Sequence, residues 1–168
     1  MEDRQGIRTV IIEYLRVIII TVVCAFIVLQ FVQISRVNGT SMVPTYHDGD
    51  IILVNKYFYH HENNPQRGQI VITEYDSSTI SDRYIIKRII GIGGDHVVIA
   101  DNELYVNGQL QNETYINEQM DTEDLDIYVP EGKIFVMGDN RNNSLDSRII
   151  GYIDFETQVV GKVVFTIL

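Results

Sequence analysis

The sequence predicts a mostly β protein whose antiparallel sheets form a distorted, barrel-like domain, preceded by one N-terminal transmembrane helix. Two observations support this prediction. One long apolar run lies near the start of the chain, and after residue 33 short β-branched and aromatic runs alternate with turn residues. No long helical period follows residue 33, so strands must build the core. The length of 168 residues and the 45% hydrophobic composition suit a single globular domain.

The N-terminal apolar run covers residues 17–32 and has few polar interruptions. Because a bilayer span needs about 20 residues, the predicted transmembrane anchor is residues 10–32, which includes Glu13 and Arg16. These two side chains lie three residues apart and can pair or reach toward the headgroups. A buried core helix and a cleavable signal peptide are the alternatives. No A-x-A-like cleavage site follows the run, and this favours an uncleaved anchor.

The arginines near the anchor predict its orientation. Three lie before or inside its start and one follows its end: Arg4, Arg8, Arg16 and Arg36. Positive charge favours the cytoplasmic side, so residues 1–9 are predicted to be cytoplasmic and residues 33–168 extracytoplasmic. The protein is therefore expected in the cell membrane as a single-pass protein.

Charge and cysteine content exclude several classes of function. Lys and Arg total 13 against 23 Asp and Glu, a net charge of −10, which argues against a nucleic-acid binder. The charges before residue 34 cancel, so the external part carries the whole excess and is not held to anionic lipid by attraction. The single Cys24 excludes an intramolecular disulfide and a multi-cysteine zinc site.

The external part reads as a series of short strands. Asn107-Gly108 is a strong signal for a type I′ hairpin turn, and Asp101-Asn102 predicts another tight turn. The polar, acidic segment 112–126 is predicted to be a surface excursion. The predicted strands cover residues 50–54, 69–74, 84–92, 96–100, 103–106, 133–137 and 159–167.

No metal or cofactor site is predicted. His60 and His61 are adjacent and lack the spacing of metal ligands, and the acidic residues of 121–126 lack the Gly and Glu of a calcium loop. His47 and His96 have no evident partner, so a Ser-His-Asp triad stays open but unsupported.

Ser41 lies in a small-residue segment directly after the anchor. The segment reads Asn-Gly-Thr-Ser-Met-Val-Pro-Thr over residues 38–45. Pro44 has a fixed φ and biases Val43 toward extended backbone, so the chain after Ser41 has a defined shape. Gly39 permits another chain to approach closely. From composition alone, a simple turn serine is the alternative interpretation.

Lys87 lies in the middle of an apolar strand. Strand alternation places Ile85, Lys87 and Ile89 on one face, which predicts that the amine is desolvated. Desolvation favours the neutral amine, and a neutral amine can act as general base for a serine hydroxyl. A lysine at a sheet edge whose ammonium reaches water is the alternative.

A third segment, residues 138–148, is dense in short polar side chains between two apolar runs. Its Asp, Asn, Ser and Gly residues readily form turns. Its two Asp and two Arg side chains also suit an ion-paired scaffold.

Together these segments resemble the bacterial type I signal peptidases, in the short form typical of Gram-positive bacteria. The resemblance covers nearly the whole chain in the right order. The motifs that carry it are the anchor, Ser41-Met42-x-Pro44-Thr45, Tyr84 to Arg88 with Gly91 and Gly94-Asp95, and Gly138-Asp139-Asn140-Arg141 with Ser144 and Asp146-Ser147-Arg148.

The resemblance implies a Ser/Lys dyad that removes signal peptides from exported precursor proteins, with Ser41 as nucleophile and Lys87 as general base. Ser144 matches the serine that hydrogen-bonds and orients the lysine. The Ser41 amide is one implied oxyanion donor, but Gly39 stands where some relatives place a second donor hydroxyl. The residues implied as a supporting network are Asp139, Arg141, Asp146 and Arg148.

The implied partners are signal peptides of secretory precursors and the phospholipid membrane, with proximity to the secretion translocase. Because signal peptides end in small residues before the cut, the substrate pockets should be shallow and apolar. Met42 and Ile86, with Gly39, are the implied substrate-binding residues. Extended segments beside Ser41 and Lys87 would bind the substrate as an added strand.

Three other functions are alternatives to signal-peptide removal. The self-cleaving repressors of the SOS response share the Ser/Lys chemistry, but they need a DNA-binding N-terminal domain where this chain has the anchor. A catalytically inactive, membrane-tethered homologue that binds secretory precursors should lack Ser41 or Lys87, and both are present. An anchored structural β domain leaves the apolar surroundings of Lys87 unexplained.

Overall fold

The computed structural model describes residues 2–56, 65–75 and 84–167, which form eleven strands and three helices. His60 and His61 lie outside the described residues. In chain order the elements are α1 (Glu2–Phe31), β1 (Val32–Arg36), β2 (Ile51–Asn55), β3 (Ile70–Glu74), β4 (Tyr84–Ile92), β5 (His96–Ala100), β6 (Glu103–Val106), β7 (Gln109–Leu110), β8 (Leu125–Tyr128), β9 (Lys133–Met137), α2 (Ser147–Ile150), β10 (Ile153–Asp154), α3 (Phe155–Gln158) and β11 (Val159–Thr166).

Helix α1 contains the predicted anchor except its last residue, Val32, which begins β1. Its stretch Val10–Phe31 is 22 residues long, is not buried against the rest of the chain, and is long and apolar enough to cross a membrane. At 1.5 Å per residue, this stretch extends about 33 Å, which matches the hydrocarbon thickness of a bilayer. Strand β1 begins at the next residue, so the helix joins the β domain without a linker.

The predicted fold class is confirmed, since two antiparallel sheets form the domain. The larger is a curled, half-barrel sheet in the order β1-β2-β11-β3-β4-β9-β10. Strand β11 pairs with both β2 and β3, and two register shifts along it help the sheet to curl. At Gly161 an added Cβ would lie 2.7 Å from the Asn55 carbonyl oxygen, so only glycine fits there.

The smaller sheet has the order β7-β6-β5-β8. Both tight turns predicted for it are present. Asn107 and Gly108 have φ values of 52° and 74°, and Asp101 and Asn102 have φ values of 52° and 64°. Two consecutive positive φ angles characterise the type I′ turn, whose twist matches that of the flanking strands.

Most residues of the acidic segment 112–126 are exposed or half-buried, in line with the predicted surface excursion, but the segment is also fixed to the domain. Its Met120 is only 2% exposed and packs in the core beneath the smaller sheet, and β8 begins within the segment at Leu125. Apolar residues among the acidic ones therefore hold the segment against the domain. The acidic segment also places Glu113 and Tyr115 beside the site: Glu113 binds Arg141 of residues 138–148, and the Tyr115 ring lies against Arg88 of β4.

Asp95 joins the two sheets at the turn between β4 and β5. Its carboxylate accepts from Arg67 Nε at 2.7 Å, from the Ile92 backbone N–H at 2.9 Å and from Asn107 Nδ2 at 2.9 Å. Although partial burial opposes it, the bond from Arg67 and these other donors hold the pKa of Asp95 below its ordinary value. The Asp95 side chain thus holds together the end of β4, the hairpin turn at Asn107 and the segment before β3.

We predict that Asp95→Ala lowers the free energy of unfolding by about 2–4 kcal/mol, because three donors lose their acceptor. Chemical denaturation of the full chain in detergent measures the effect. Asp126→Ala serves as the control, since Asp126 is 72% exposed and pairs with His96 at the surface. Its effect should stay below about 1 kcal/mol. Equal effects of the two substitutions on the free energy of unfolding would contradict the role of Asp95 in joining the two sheets.

Candidate active site

Ser41 lies in a tight loop between β1 and β2. The loop is held by backbone bonds from Val43 N–H to the Thr40 carbonyl at 3.2 Å and from Tyr46 N–H to the Met42 carbonyl at 2.9 Å. The Val43–Pro44 peptide bond is cis. The side chains of Met42 and Tyr46 are buried in the core. The loop that carries Ser41 is therefore anchored from below and not free to move away.

Lys87 lies at the centre of β4, between β3 and β9 in the larger sheet, and its side chain is 2% exposed. Its Nζ is 2.7 Å from Ser41 Oγ and 2.9 Å from the Ile86 carbonyl oxygen. The structure thus brings together the two residues that sequence reasoning singled out, although they are 46 positions apart. The Ile86 carbonyl was not foreseen, because backbone atoms carry no sequence signal.

Burial changes the ionisation of Lys87. Desolvation lowers the pKa of its amine from 10.5 to about 8, because a buried ammonium loses its hydration. The carboxylates of Asp146 and Asp139 oppose this shift, since negative charge favours the protonated amine. Desolvation outweighs both carboxylates, so a substantial neutral fraction exists just above neutral pH.

The loop after β9 packs directly on Ser41. The Asn140 backbone N–H donates to the Ser41 carbonyl at 3.0 Å, and the Asn140 side chain donates to the Thr40 carbonyl at 3.0 Å. At Gly138 an added Cβ would lie 2.5 Å from the Ser41 carbonyl oxygen and 2.3 Å from Ser144 Oγ. The glycine therefore permits a contact that any side chain would prevent.

Two buried carboxylates in this loop have arginine partners. Asp139 is bound by Arg88 through two bonds of 2.7 and 2.6 Å and also accepts from the Thr45 hydroxyl. Asp146 is bound by Arg148 through bonds of 2.9 and 2.8 Å, caps α2 and accepts from the Gly138 N–H at 3.0 Å. Both carboxylates are fully buried and out of reach of water, so their arginine partners compensate the negative charges instead.

Arg141 has a partner that the sequence analysis did not find. Its guanidinium, also fully buried, binds Glu113 through two bonds of 2.5 and 2.6 Å, and its Nε donates to the Gly138 carbonyl at 3.1 Å. Glu113 lies 28 residues away on the segment first interpreted as a surface excursion. Only the presence of four charged residues of two signs between the apolar runs that flank residues 138–148 hinted at such partners.

The expected hydrogen bond between Ser144 and Lys87 is not formed in this structure. Ser144 Oγ is buried and has no partner among the described residues, and the Lys87 amine instead donates to the Ile86 carbonyl. Ser144 still lies close to the Ser41 loop, because its hydroxyl faces the same Gly138 position as the Ser41 carbonyl.

A groove of about 690 Å³ opens beside Ser41 and Lys87. Gly39 and Ile86 line it as expected, whereas Met42 is buried in the core at 1% exposure and is not part of its wall. Met42 thus packs beneath the loop and outside the groove lining. The remaining walls come from β1, the 37–40 segment, β4 and five further apolar or amide residues: Ile52, Ile72, Leu145, Val160 and Asn143.

The backbone N–H of Gly39 is already engaged and is not available to bind an oxyanion. It donates to Asp48 Oδ1 at 2.8 Å, and the glycine has a φ of +87°. With no side-chain hydroxyl and an engaged amide, Gly39 does not supply the second donor that some relatives have at this position.

Known proteins are similar to this chain in sequence. A protein-family profile described as "Signal peptidase, peptidase S26" matches residues 11–168. "Signal peptidase I" of Bacillus licheniformis is 38% identical over 91% of this chain and 87% of its own length. "Signal peptidase IB" of Staphylococcus aureus is 35% identical over 92% of this chain and 88% of its own length.

The crystal structure of a signal peptidase I from Enterococcus faecalis is also similar. It has 33% sequence identity and a TM-score of 0.51, and the match covers 60% of this chain and 97% of that one. The family match, the relatives and the fold agree, and the chain belongs to the signal peptidase I family of serine endopeptidases, peptidase family S26.

Proposed function

We propose that this protein is a membrane-anchored serine endopeptidase that removes signal peptides from exported precursors with a Ser41–Lys87 dyad. The observation that carries the proposal is the 2.7 Å contact between Ser41 Oγ and a lysine amine that is almost fully buried. A surface lysine is an ammonium near neutral pH and cannot accept a proton. This one has a pKa of about 8 and can.

The arrangement supports each step of acyl transfer. Neutral Lys87 donates one N–H to the Ile86 carbonyl, which turns its lone pair toward the Ser41 hydroxyl. The amine takes the hydroxyl proton as Oγ attacks the scissile carbonyl, and the Ser41 amide stabilises the oxyanion. Lys87 then gives that proton to the leaving amine. Water, activated by the same amine, hydrolyses the acyl-enzyme and regenerates Ser41.

The supporting residues act on geometry and charge. Asp139, Arg141, Asp146 and Arg148 hold the loop that packs on Ser41 and keep its charges paired. Ser144 belongs to the same group, since an unpartnered buried hydroxyl beside the dyad gains by bonding a protonated Lys87 during turnover.

The groove suits an extended peptide with small side chains. Its two long walls are the edge strand β1 and the first residues of β4, which offer backbone groups to a substrate added as a strand. Apolar Ile52, Ile72 and Ile86 line it near the dyad, which favours short apolar side chains there.

The anchor places this groove at the membrane. With Val10–Phe31 in the bilayer and the arginines of the N-terminus in the cytoplasm, the β domain lies outside, close to the membrane and to the translocase that delivers precursors. The inactive, precursor-binding homologue is the second candidate. The intact contact between Ser41 and Lys87 favours the enzyme.

We predict that Ser41→Ala and Lys87→Ala each lower kcat/KM for a secretory precursor by about 10³-fold or more, because each removes a reacting group. Lys87→Arg should fail as well, since a guanidinium is not a base at neutral pH. Lys133→Ala is the matched control, because Lys133 is partly exposed and pairs with Asp154. Cleavage is followed in detergent by electrophoresis, and normal processing by a folded Ser41→Ala chain would refute the dyad.

The activity should also rise with pH. The active form of Lys87 is the neutral amine, and burial lowers its pKa, so kcat should increase along a limb with a midpoint near pH 8. An unburied lysine would place the midpoint above about pH 10. The measurement is kcat against pH with a signal-peptide substrate. A midpoint near that of an imidazole, lost on replacing His47 or His96, would transfer the base role to histidine.

The proposed orientation of the chain across the membrane is tested with single-cysteine variants. Because Cys24 is the only cysteine, Cys24→Ser provides a cysteine-free background. In that background a membrane-impermeant maleimide applied to intact cells should label Gln109→Cys in β7 and not Gln5→Cys before the span. Labelling of the residue-5 site alone would reverse the proposed topology.

A further inference from the structure

Tyr115 lies between the two arginines that connect the acidic segment to the site. Its ring centroid is 4.0 Å from the guanidinium carbon of Arg88 and 5.7 Å from that of Arg141. The Tyr115 hydroxyl donates to Glu113 Oε1 at 2.7 Å, and the same carboxylate binds Arg141. The peptidase chemistry derived above does not use this side chain.

Both arginines hold parts of the loop that packs on Ser41. Arg88 binds Asp139, and Arg141 donates to the Gly138 carbonyl. Gly138 and the next residues contact the Ser41 carbonyl directly. A ring that restrains both arginines therefore restrains the loop at two neighbouring residues.

We propose that Tyr115 is a positioning residue for the Ser41–Lys87 reaction, acting through Arg88 and Arg141. The inference rests on the proposed function of the dyad. Tyr115 does not line the groove, so its action on turnover passes through the two arginines and not through the substrate.

The surroundings make the ring contact strong. The Arg88 side chain is 11% exposed and that of Arg141 is fully buried, and cation–π attraction is largest when the cation has lost its water. Burial and the nearby Glu113 carboxylate raise the pKa of Tyr115 well above its ordinary value. The phenol therefore stays neutral and remains a hydrogen-bond donor throughout the working pH range.

Loss of the ring should alter the ionisation of Lys87. A released Arg88 would leave Asp139 less compensated, and a loosened loop would admit water to the amine. Both changes favour the ammonium and raise the pKa of Lys87. Elsewhere around β4, the charged groups on the described elements are Arg36 in β1, which lines the groove with Lys87, Asp95 with Arg67 at the end of β4, Asp146 with Arg148, Glu113 with Arg141, Glu74 in β3, Lys133 in β9, and Asp48 and Asp50 in the loop before β2.

The experiment compares kcat and KM against pH for the full chain and Tyr115→Leu in detergent. Tyr115→Leu removes the ring without changing charge, and we expect the midpoint of the kcat limb to rise by about 0.5 pH unit or more. On the acid limb this shift lowers kcat about threefold. KM should change less than about twofold, since the groove is intact.

Two further variants separate the ring from the hydroxyl and from the fold. Tyr115→Phe keeps the ring and should retain the wild-type midpoint. Tyr105→Leu is the matched control, because the Tyr105 hydroxyl donates to Glu103 at 2.7 Å, also two residues away, on the exposed face of β6. It should move neither the midpoint nor KM. If leucine at position 115 prevents folding, Tyr115→Met fills the space without a ring.

The outcomes distinguish the alternatives. A kcat for Tyr115→Leu that falls by the same factor at every pH, with an unmoved midpoint, would show a purely structural role and overturn the inference. A rise in KM alone would do the same by making Tyr115 a substrate contact. If wild type has no Lys87-dependent limb, the proposed function itself fails. A normal wild-type limb with no shift in Tyr115→Leu overturns this inference only.

Discussion

The structure around the site depends on keeping one lysine amine out of water. Lowering the pKa of Lys87 from 10.5 to about 8 corresponds to a free energy on the order of 3 kcal/mol against the ammonium. A central strand provides this burial, because β3 and β9 flank β4 and the Ser41 loop covers its lysine. The groove must nevertheless reach the same amine. The residues that surround Lys87 must therefore be rigid and pack tightly, so that no layer of water separates them from the amine.

The carboxylates that organise these walls work against the chemistry unless they are compensated. Asp146 caps α2 and accepts from the Gly138 N–H, and Asp139 accepts from Thr45, so both fix the loop beside Ser41. Their charges also raise the pKa of Lys87. Pairing each with an arginine keeps the hydrogen-bond acceptors and weakens the negative field at the amine. The ion pairs of this site thus favour the neutral amine that the proposed reaction needs, as well as the fold.

Sequence patterns predicted the parts of the fold and site that are encoded locally. The hairpin at Asn107-Gly108 follows from turn preference, and the burial of Lys87 follows from strand alternation between isoleucines. Tertiary pairings left no such signal. Glu113 meets Arg141 across 28 residues, and its segment looked like solvated loop because its acidic residues outnumber the apolar ones. Met42 was expected in a pocket wall from the family resemblance, but its side chain is buried and does not line the groove, and the sequence does not show which way a loop side chain turns.

The continuity of α1 and β1 ties the groove to the apolar helix. Strand β1 begins at the residue after the helix, pairs with β2 on one side, and lines the groove with Gln33 and Ser35. Ser41 follows Phe31 by ten residues, which limits their separation to about 36 Å even for extended chain. In the proposed topology, with α1 in the bilayer, the groove wall formed by β1 begins where the helix ends. A peptide that leaves the membrane beside the helix would therefore meet a wall of the groove close to its point of emergence.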